Sequence, residues 1–223
     1  MLYAMSDSFD KSNRNRVKRM PERGHYDRAT IYPIVDAGLI CHVGFVHEGQ
    51  PFVIPTIHAR VDDHVYFHGS KMSRLLQVLA SGAPVCVTIT HLDGLVLARS
   101  AFHSSMNYRS ATLYGHGEMV EDASEKWEAL KTVTEHVASG RWADVRTMTD
   151  KEMGATLVAR MRIEQASAKI RVGPPKDDEE DYALPIWAGV VPLTQVAGAP
   201  IDDPRLRQGL DVPGYASNYR RPA

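Results

Sequence analysis

Cysteine is scarce in this chain. Cys41 and Cys86 are the two present among 223 residues, each sits inside an apolar run, and they form no CxxC pair. That argues against a disulfide framework and for two buried thiols in a reducing compartment. A charge excess of either sign is also missing: 26 Lys and Arg stand against 27 Asp and Glu, a formal net charge of −1. No broad basic field is left to attract nucleic acid. No apolar run approaches the roughly 20 residues that cross a bilayer, and the first residues lack the apolar stretch of a secretory signal. The expectation is a cytoplasmic protein with neither a nucleic-acid nor a membrane partner.

Several catalytic signatures are absent. There is no HExxH and no Cys/His cluster at zinc spacing, although ten histidines are spread over the chain; no metal site is expected. There is no GxSxG, and neither cysteine has a recognisable reactive setting. Without GxGxxG after a strand or GxxxxGK[ST], a Rossmann or P-loop nucleotide site is not expected, so a phosphate ligand would need another scaffold.

What is present is a globular composition, with 43% hydrophobic and 24% charged residues, enough for one sizeable core. The organisation reads as a basic arm (1–24), one domain (25–195) and a Pro-, Gly- and Arg-rich tail (196–223). The arm has two readings: a mobile segment, or one that drapes over a partner subunit or meets an anion. A helix is expected over 26–37, with Pro33 inside it and Gly38 ending it. Two β-rich runs, 39–46 and 51–61, flank His47-Glu48-Gly49-Gln50 and read as a hairpin. On the second run Val53, Pro55, Ile57, Ala59 and Val61 share the expected core face. Phe52, Ile54, Thr56, His58 and Arg60 share the other, which is either solvated or covered by a ligand or another subunit. Pro55 favours an edge or bulge.

The next stretch, HVYFHGSKMSRLLQVL, reads as strand, tight turn and helix. Val65-Tyr66-Phe67 end a strand, and Met72, Leu75, Leu76 and Leu79 fall on one helical face. Gly69, Ser70 and Lys71 lie between them, where helix N-terminal amides, a hydroxyl and an ammonium could receive an anion. The plainer reading is a serine N-cap beside an exposed lysine. Val85–His91 is strand-like, Asp93-Gly94 reads as a turn before Leu95–Ala98, and 107–120 reads as a long strand with a bend at Gly115 and Gly117. Asp122-x-x-Glu125 and Thr149-x-x-Glu152 resemble capping boxes before helices. A further strand is expected within 158–172, and 184–193 is a compact apolar segment. Six or seven short strands with few helices point to an α+β arrangement, a β-barrel with flanking helices.

The order and spacing of VYFHGSK, NYRSATLYGHGEM and YALPIWAGVVPL resemble the pyridoxamine 5'-phosphate oxidase-related, FMN-binding split-barrel family, in particular its nitroimidazole-resistance-type branch. The resemblance covers roughly 25–195. It implies a six-stranded antiparallel split barrel, a homodimer and FMN in clefts between the subunits. By position it implies that Val53, Ile54, Pro55, Thr56, Ile57 and His58 line the flavin ring. Gly69, Ser70 and Lys71 would meet its phosphate, with Tyr108, Arg109 and Ser110 near that phosphate and Trp187 near the ring. Ser110 stands where the oxidases carry glutamine, and their C-terminal substrate-binding His and Arg have no clean counterpart, which argues against pyridoxamine phosphate as substrate. Lys169 and Arg171 lie in SAKIRVGPP, a segment typical of this branch.

The function so implied is an FMN-dependent oxidoreductase, passing electrons from NAD(P)H or an organic substrate to an acceptor. His68 is the candidate polar group near flavin or substrate; a structural histidine is the other reading. Two alternatives stand beside this one: a non-catalytic protein that binds or senses flavin or haem, and an F420-dependent reductase whose longer anionic tail would meet the basic arm.

Overall fold

The computed structural model describes residues 6–221. In chain order the elements are β1 (Gly24–His25), α1 (Arg28–Ala37), β2 (Ile40–His47), β3 (Gln50–Ile57), β4 (Ala59–Val61), β5 (His64–Ser70), α2 (Arg74–Ala80), β6 (Pro84–Leu97) and β7 (Ser105–Met119). Then follow α3 (Ala123–Val137), α4 (Asp150–Ala155), β8 (Thr156–Arg162), β9 (Gln165–Arg171), β10 (Gly189–Pro192) and α5 (Gly214–Ser217). The ten strands form one sheet with antiparallel pairings and the path β3-β2-β6-β7-β8-β5-β4, to which β9 adds beside β7, β1 beside β9 and β10 beside β6. The path starts at β3 and ends at β4, two strands separated in sequence by His58 alone.

Alternation explains which faces close on the core. On β2 the residues Cys41, Val43 and Phe45 are buried; on β6 Val85, Val87 and Ile89; on β7 Ala111 and Leu113. With Val65 and Phe67 of β5, Ala159 and Met161 of β8, and Ala166 and Ala168 of β9 they make one cluster. Helix α1 adds Ile31, Ile34 and Val35, and α2 adds Leu75, Leu76, Val78 and Leu79. Burying an aliphatic side chain of this size contributes about 1.5–3 kcal/mol. A second cluster, Tyr66, Val120, Ala129, Leu130 and Val158, lies under α3.

Caps set the helix ends. Asp27 accepts from the Thr30 amide and starts α1, and the Asp122 side chain accepts from the Glu125 amide at α3. Thr149 and Glu152 form a full capping box at α4. Arg28 on α1 donates Nε and Nη2 to the Asp63 carboxylate at 3.1 and 3.0 Å, and Tyr32 donates its hydroxyl to the same group. Burial pushes the Asp63 carboxyl up, but those donors outweigh it and hold it below the usual carboxylate range.

The strand β7 joins the two halves of the sheet. Residues 108–114 pair with β9, and 117–119 pair with β8. Between them Gly115 and Gly117 permit the bend: a Cβ on Gly115 would lie 2.1 Å from the Arg162 carbonyl oxygen, and one on Gly117 2.3 Å from that of Leu79.

Five expectations are corrected. Gly69 and Ser70 do not break the strand; they pair with Leu157 and Thr156, and the N-cap of α2 is Ser73, whose side chain accepts from the Leu76 amide. Met72 precedes the helix and is 84% exposed. Asp93-Gly94 is not a turn but a bulge in the continuous β6, and β10 packs closely there: a Cβ on Gly94 would lie 3.1 Å from both Val190 Cγ1 and the Val191 carbonyl oxygen. The expected single strand in 158–172 is the pair β8 and β9. On β3 the core face is reversed: Phe52 and Ile54 pack against the core, whereas Val53 is 66% exposed. The interruption at His58 puts β3 and β4 out of phase, so Ala59 is buried as expected although Val53 and Pro55 face outward.

The basic arm is packed. Phe9 is buried in the core, and its amide donates to the Tyr26 carbonyl. Asn15, 2% exposed, donates Nδ2 to the carbonyls of Asp10 and Ala166. At the other end of the chain Arg221 donates to the carbonyls of Asp36, Ala37 and Gly38, where α1 ends.

Candidate functional site

Register assembles a broad outer face. Pro55 lies opposite His42, His42 opposite Thr88, Thr88 opposite Thr112, and Thr112 opposite Ser167. A second row runs Thr90–Ser110–Lys169, with 3.1 Å between the Thr90 and Ser110 hydroxyls. A third runs Val53–Gly44–Cys86–Tyr114–Gln165. Directly opposed residues share a face, so five strands present one surface. It is hydroxyl-rich toward β7 and β9, and apolar toward β2 and β3, where Ile40, Val46 and Val53 are exposed to 46%, 64% and 66%.

At the β7–β9 end the surface deepens into a cleft of about 300 Å³. Tyr108, Ser110, Thr112 and Ser167 form its floor, and Lys169, Lys18 and Arg19 its rim. The arm reaches this rim because the Val17 amide donates to the Tyr26 hydroxyl at 2.9 Å, while Asn15 is pinned to β9 through the Ala166 carbonyl at 3.1 Å. None of Arg14, Arg16, Lys18, Arg19 and Lys169 forms an ion pair among the described residues. In a chain of net charge −1 this is a local, uncompensated positive field.

The expected site residues are only partly brought together. Tyr108 and Ser110 sit in the cleft, and Val53 and Pro55 share its face. Ile54 faces the core. Thr56 and Ile57 are half-buried beside it on the same edge strand. His58 is fully buried, with its Nε2 3.0 Å from the Val35 carbonyl. That oxygen can only accept, so Nε2 carries the proton and Nδ1 is left without a partner. Burial lowers the His58 pKa to about 4. Arg109 does not face the cleft with a free guanidinium; it donates Nε and Nη2 to Asp93 at 3.0 and 2.9 Å, and these bonds raise its pKa.

Gly69, Ser70 and Lys71 lie at the far end of β5, against the start of β8. Arg109 lies near the start of β7, opposite Ile170 of β9. The bend of β7 separates the two, so one chain does not bring them together. His68 shares the β5 face of Tyr66, on the side packed under α3. Its Nδ1 is buried without a partner, and burial lowers its pKa. Trp187 is 67% exposed and lies over Gly189 at the start of β10. Among the described residues no three His, Cys, Asp or Glu side chains gather as a metal site, and no helix is long and apolar enough to cross a membrane. Of the cleft residues, Thr112 and Ser167 are not among the expected site residues, although the alternation of 108–118 contains the signal for Thr112; Lys18 and Arg19 belong to the basic arm, one of whose readings is a segment that meets an anion.

These features define an antiparallel β-sheet protein with flanking helices and an open polar face on its longest hairpin. The chain belongs to the pyridoxamine 5'-phosphate oxidase family, whose model matches residues 27–170. Among solved structures it is similar to the flavocytochrome Anf3 from Azotobacter vinelandii, at 41% identity over 95% of this chain and 98% of that one, with a TM-score of 0.89. It is similar also to the FAD and heme binding protein from Mycobacterium smegmatis, at 38% identity over 89% and 98%, TM-score 0.85. A putative 5-nitroimidazole antibiotic resistance protein from Bacteroides thetaiotaomicron is 26% identical over 65% and 84%, TM-score 0.55. No curated protein sequence matches the chain at a significant level.

Proposed function

We propose that this chain is a flavin-dependent redox protein that holds its flavin on the outer sheet face, between two copies of the chain. The observation that carries the reading is that face itself: a continuous surface over five strands, apolar at one end and hydroxyl- and cation-rich at the other. An amphipathic, anionic ligand with a planar ring matches both ends. Family membership and the flavin named for two relatives support it.

The six-stranded split barrel belongs to the same reading. If β3 and β4 count as one strand broken at His58, the path β3-β2-β6-β7-β8-β5-β4 begins and ends on that strand and becomes a ring of six. Two copies explain the exposed Ile40, Val46 and Val53, which a second subunit would cover. They also reconcile the phosphate contacts: a single anion can meet both the cleft rim and Lys71 only when these come from different copies.

Bound flavin would supply the electron-transfer chemistry. The chain's own part is to place the ring on the Val53–Gly44–Cys86 row, satisfy its polar edge from Thr88, Thr112 and Ser167, and neutralise its anionic end. FMN is what the motifs imply; the Mycobacterium smegmatis relative is named for FAD and heme, and the Azotobacter vinelandii one as a flavocytochrome, which leaves its flavin open. A haem, if bound, would need a neutral imidazole with a free lone pair from the chain. His58 and His68 each keep a buried Nδ1 without a partner, but His58 is fully buried whereas His68 is half-buried. His68 is thus the proposed haem ligand rather than a group acting on substrate.

Extraction of the purified protein with mass identification of what is released tests the reading. A flavin near one per chain, bleached by NADH or NADPH, is the expected result. Flavin that no nicotinamide reduces would support storage or sensing, F420 would move the protein to the deazaflavin class, and no flavin even after reconstitution would end the proposal.

A further inference from the structure

The end of α1 is held by side chains from four other parts of the chain. A helix leaves its last carbonyls without an intrahelical donor, and here each finds one. His91 of β6 donates Nε2 to the Ile34 carbonyl at 2.9 Å, and His58 donates Nε2 to that of Val35 at 3.0 Å. Arg221 donates to the carbonyls of Asp36 at 2.8 Å and Ala37 at 3.3 Å. His136 of α3 donates Nε2 to the Gly38 carbonyl at 2.7 Å, and Arg221 donates to the same oxygen at 3.3 Å. Arg221 also donates to the His136 carbonyl, one residue before α3 ends, so a single guanidinium closes two helices. Each helix end carries about half a negative charge, and one cation balances the pair. The neighbouring carboxylates are already engaged: Asp36 by Arg60 at 2.8 Å, and Glu135 by the Gly140 and Trp142 amides at 2.6 and 2.7 Å. Of the other charged groups, Arg220 is exposed and Arg141 is bonded to the Tyr215 hydroxyl, so both add positive charge. Arg221 Nη2 and His136 Nε2 lie 3.3 Å apart, two donors on one oxygen.

Arg221 is also what ties down the C-terminal tail. The Leu193 amide donates to the Asp93 carbonyl at 3.0 Å; from Thr194 to Gly214, no hydrogen bond joins the tail to the rest of the chain among the described residues. Tyr215 then meets Arg141 at 2.7 Å, and Arg221 follows. We propose that the tail is a pH-sensitive strap: with His136 neutral, Arg221 latches it to the joined ends of α1 and α3, and protonation of His136 supplies a second cation that displaces Arg221 and frees the tail. His136 belongs to a 15-residue helix and stays, whereas Arg221 is held by the bonds at stake. Burial first, and the Arg221 charge with it, hold the His136 pKa below its ordinary 6.5. Well above pH 6.5 the ring is neutral whether the tail is latched or free, and pH has no effect. As pH falls below that value the free state binds the proton more readily, so acid favours release. His58, fully buried with its ring centroid 5.4 Å from that of His136, adds to the repulsion once charged. Release opens a cavity of about 640 Å³ walled by Leu39 and by both ends of the tail, 194–197 and 217–221.

Amide hydrogen exchange of the full-length protein tests this, whatever the outer face binds. Helix α5 has four residues, too few to persist alone, so protection of its amides reports the docked tail. In wild type, protection over 214–219, corrected for the intrinsic pH dependence of exchange, should fall about 10-fold from pH 7.5 to pH 5.5 while β6 and β7 keep theirs. His136→Gln retains a donor for the Gly38 carbonyl and cannot titrate, so its tail protection should stay within about 2-fold. Arg221→Ala should lose tail protection at both pH values with β6 unchanged. Wild-type tail protection independent of pH, an equal acid loss in His136→Gln, a protected tail in Arg221→Ala at pH 7.5, or tail and β6 opening together would each overturn the proposal. The wild-type and Arg221→Ala arms decide it even if His136→Gln does not fold.

Discussion

Replacing Gly117 with alanine is expected to remove about 3–5 kcal/mol of folding stability. The new Cβ would meet the Leu79 carbonyl oxygen at 2.3 Å and its Cα at 2.4 Å. Both are backbone atoms at the end of α2, whose neighbours Leu76 and Leu79 are buried in the main core. No flexible side chain can yield, so either the helix or the bend of β7 must move. The Gly117 amide also donates to the Ala83 carbonyl at 3.1 Å, a bond lost if the strand withdraws. Gly154 is the internal comparison. It lies in α4 with nothing within 4 Å of its Cβ position, so Gly154→Ala should be neutral or stabilising by up to about 1 kcal/mol. Urea unfolding of both variants checks this; a Gly117→Ala protein as stable as wild type would show that the close approach is not structural.

Acidification should destabilise the fold through His58. Its imidazole is fully buried and held neutral, with burial lowering the pKa from 6.5 to about 4. Above pH 6.5 the group is neutral in both folded and unfolded chains and exerts no pH effect. As pH falls from 6.5 to 4, the unfolded chain takes up a proton that the folded one refuses, and stability drops by up to about 3 kcal/mol from this group. Below pH 4 both states are protonated and the loss levels off. His136, whose pKa burial also lowers, acts in the same direction. Unfolding free energies at pH 7 and pH 4.5 for wild type and His58→Gln isolate the effect. The variant should start less stable and lose less on acidification; equal losses would mean that His58 is charged, or absent from the acid response.

Local patterns made much of this fold readable. The β2–β3 hairpin follows from alternation around a short polar turn in which Glu48 and Gly49 adopt positive φ. The capping box at Thr149 and the bend at Gly115 and Gly117 follow from residue type. What escaped was set by distant partners. Asp93-Gly94 has the composition of a turn, but β10, nearly a hundred residues later, pairs across it and keeps β6 continuous. The face of β3 came out reversed because one buried histidine shifts the phase of the strand. Arg109 looked available for an anion, yet Asp93, 16 residues earlier on the neighbouring strand, already occupies its fork. The basic arm read first as a loose segment, with a functional role as the alternative. Its route to the cleft depends on Asn15 reaching the Ala166 carbonyl, 151 positions away, which no local pattern announces.

The central claim is that an outer sheet face, shared by two copies of the chain, holds a flavin. Sedimentation velocity followed by flavin absorbance tests it directly. The account predicts that the absorbance travels with a species of twice the chain mass. Flavin travelling with the single chain, or a two-chain species without flavin even after reconstitution, would contradict it.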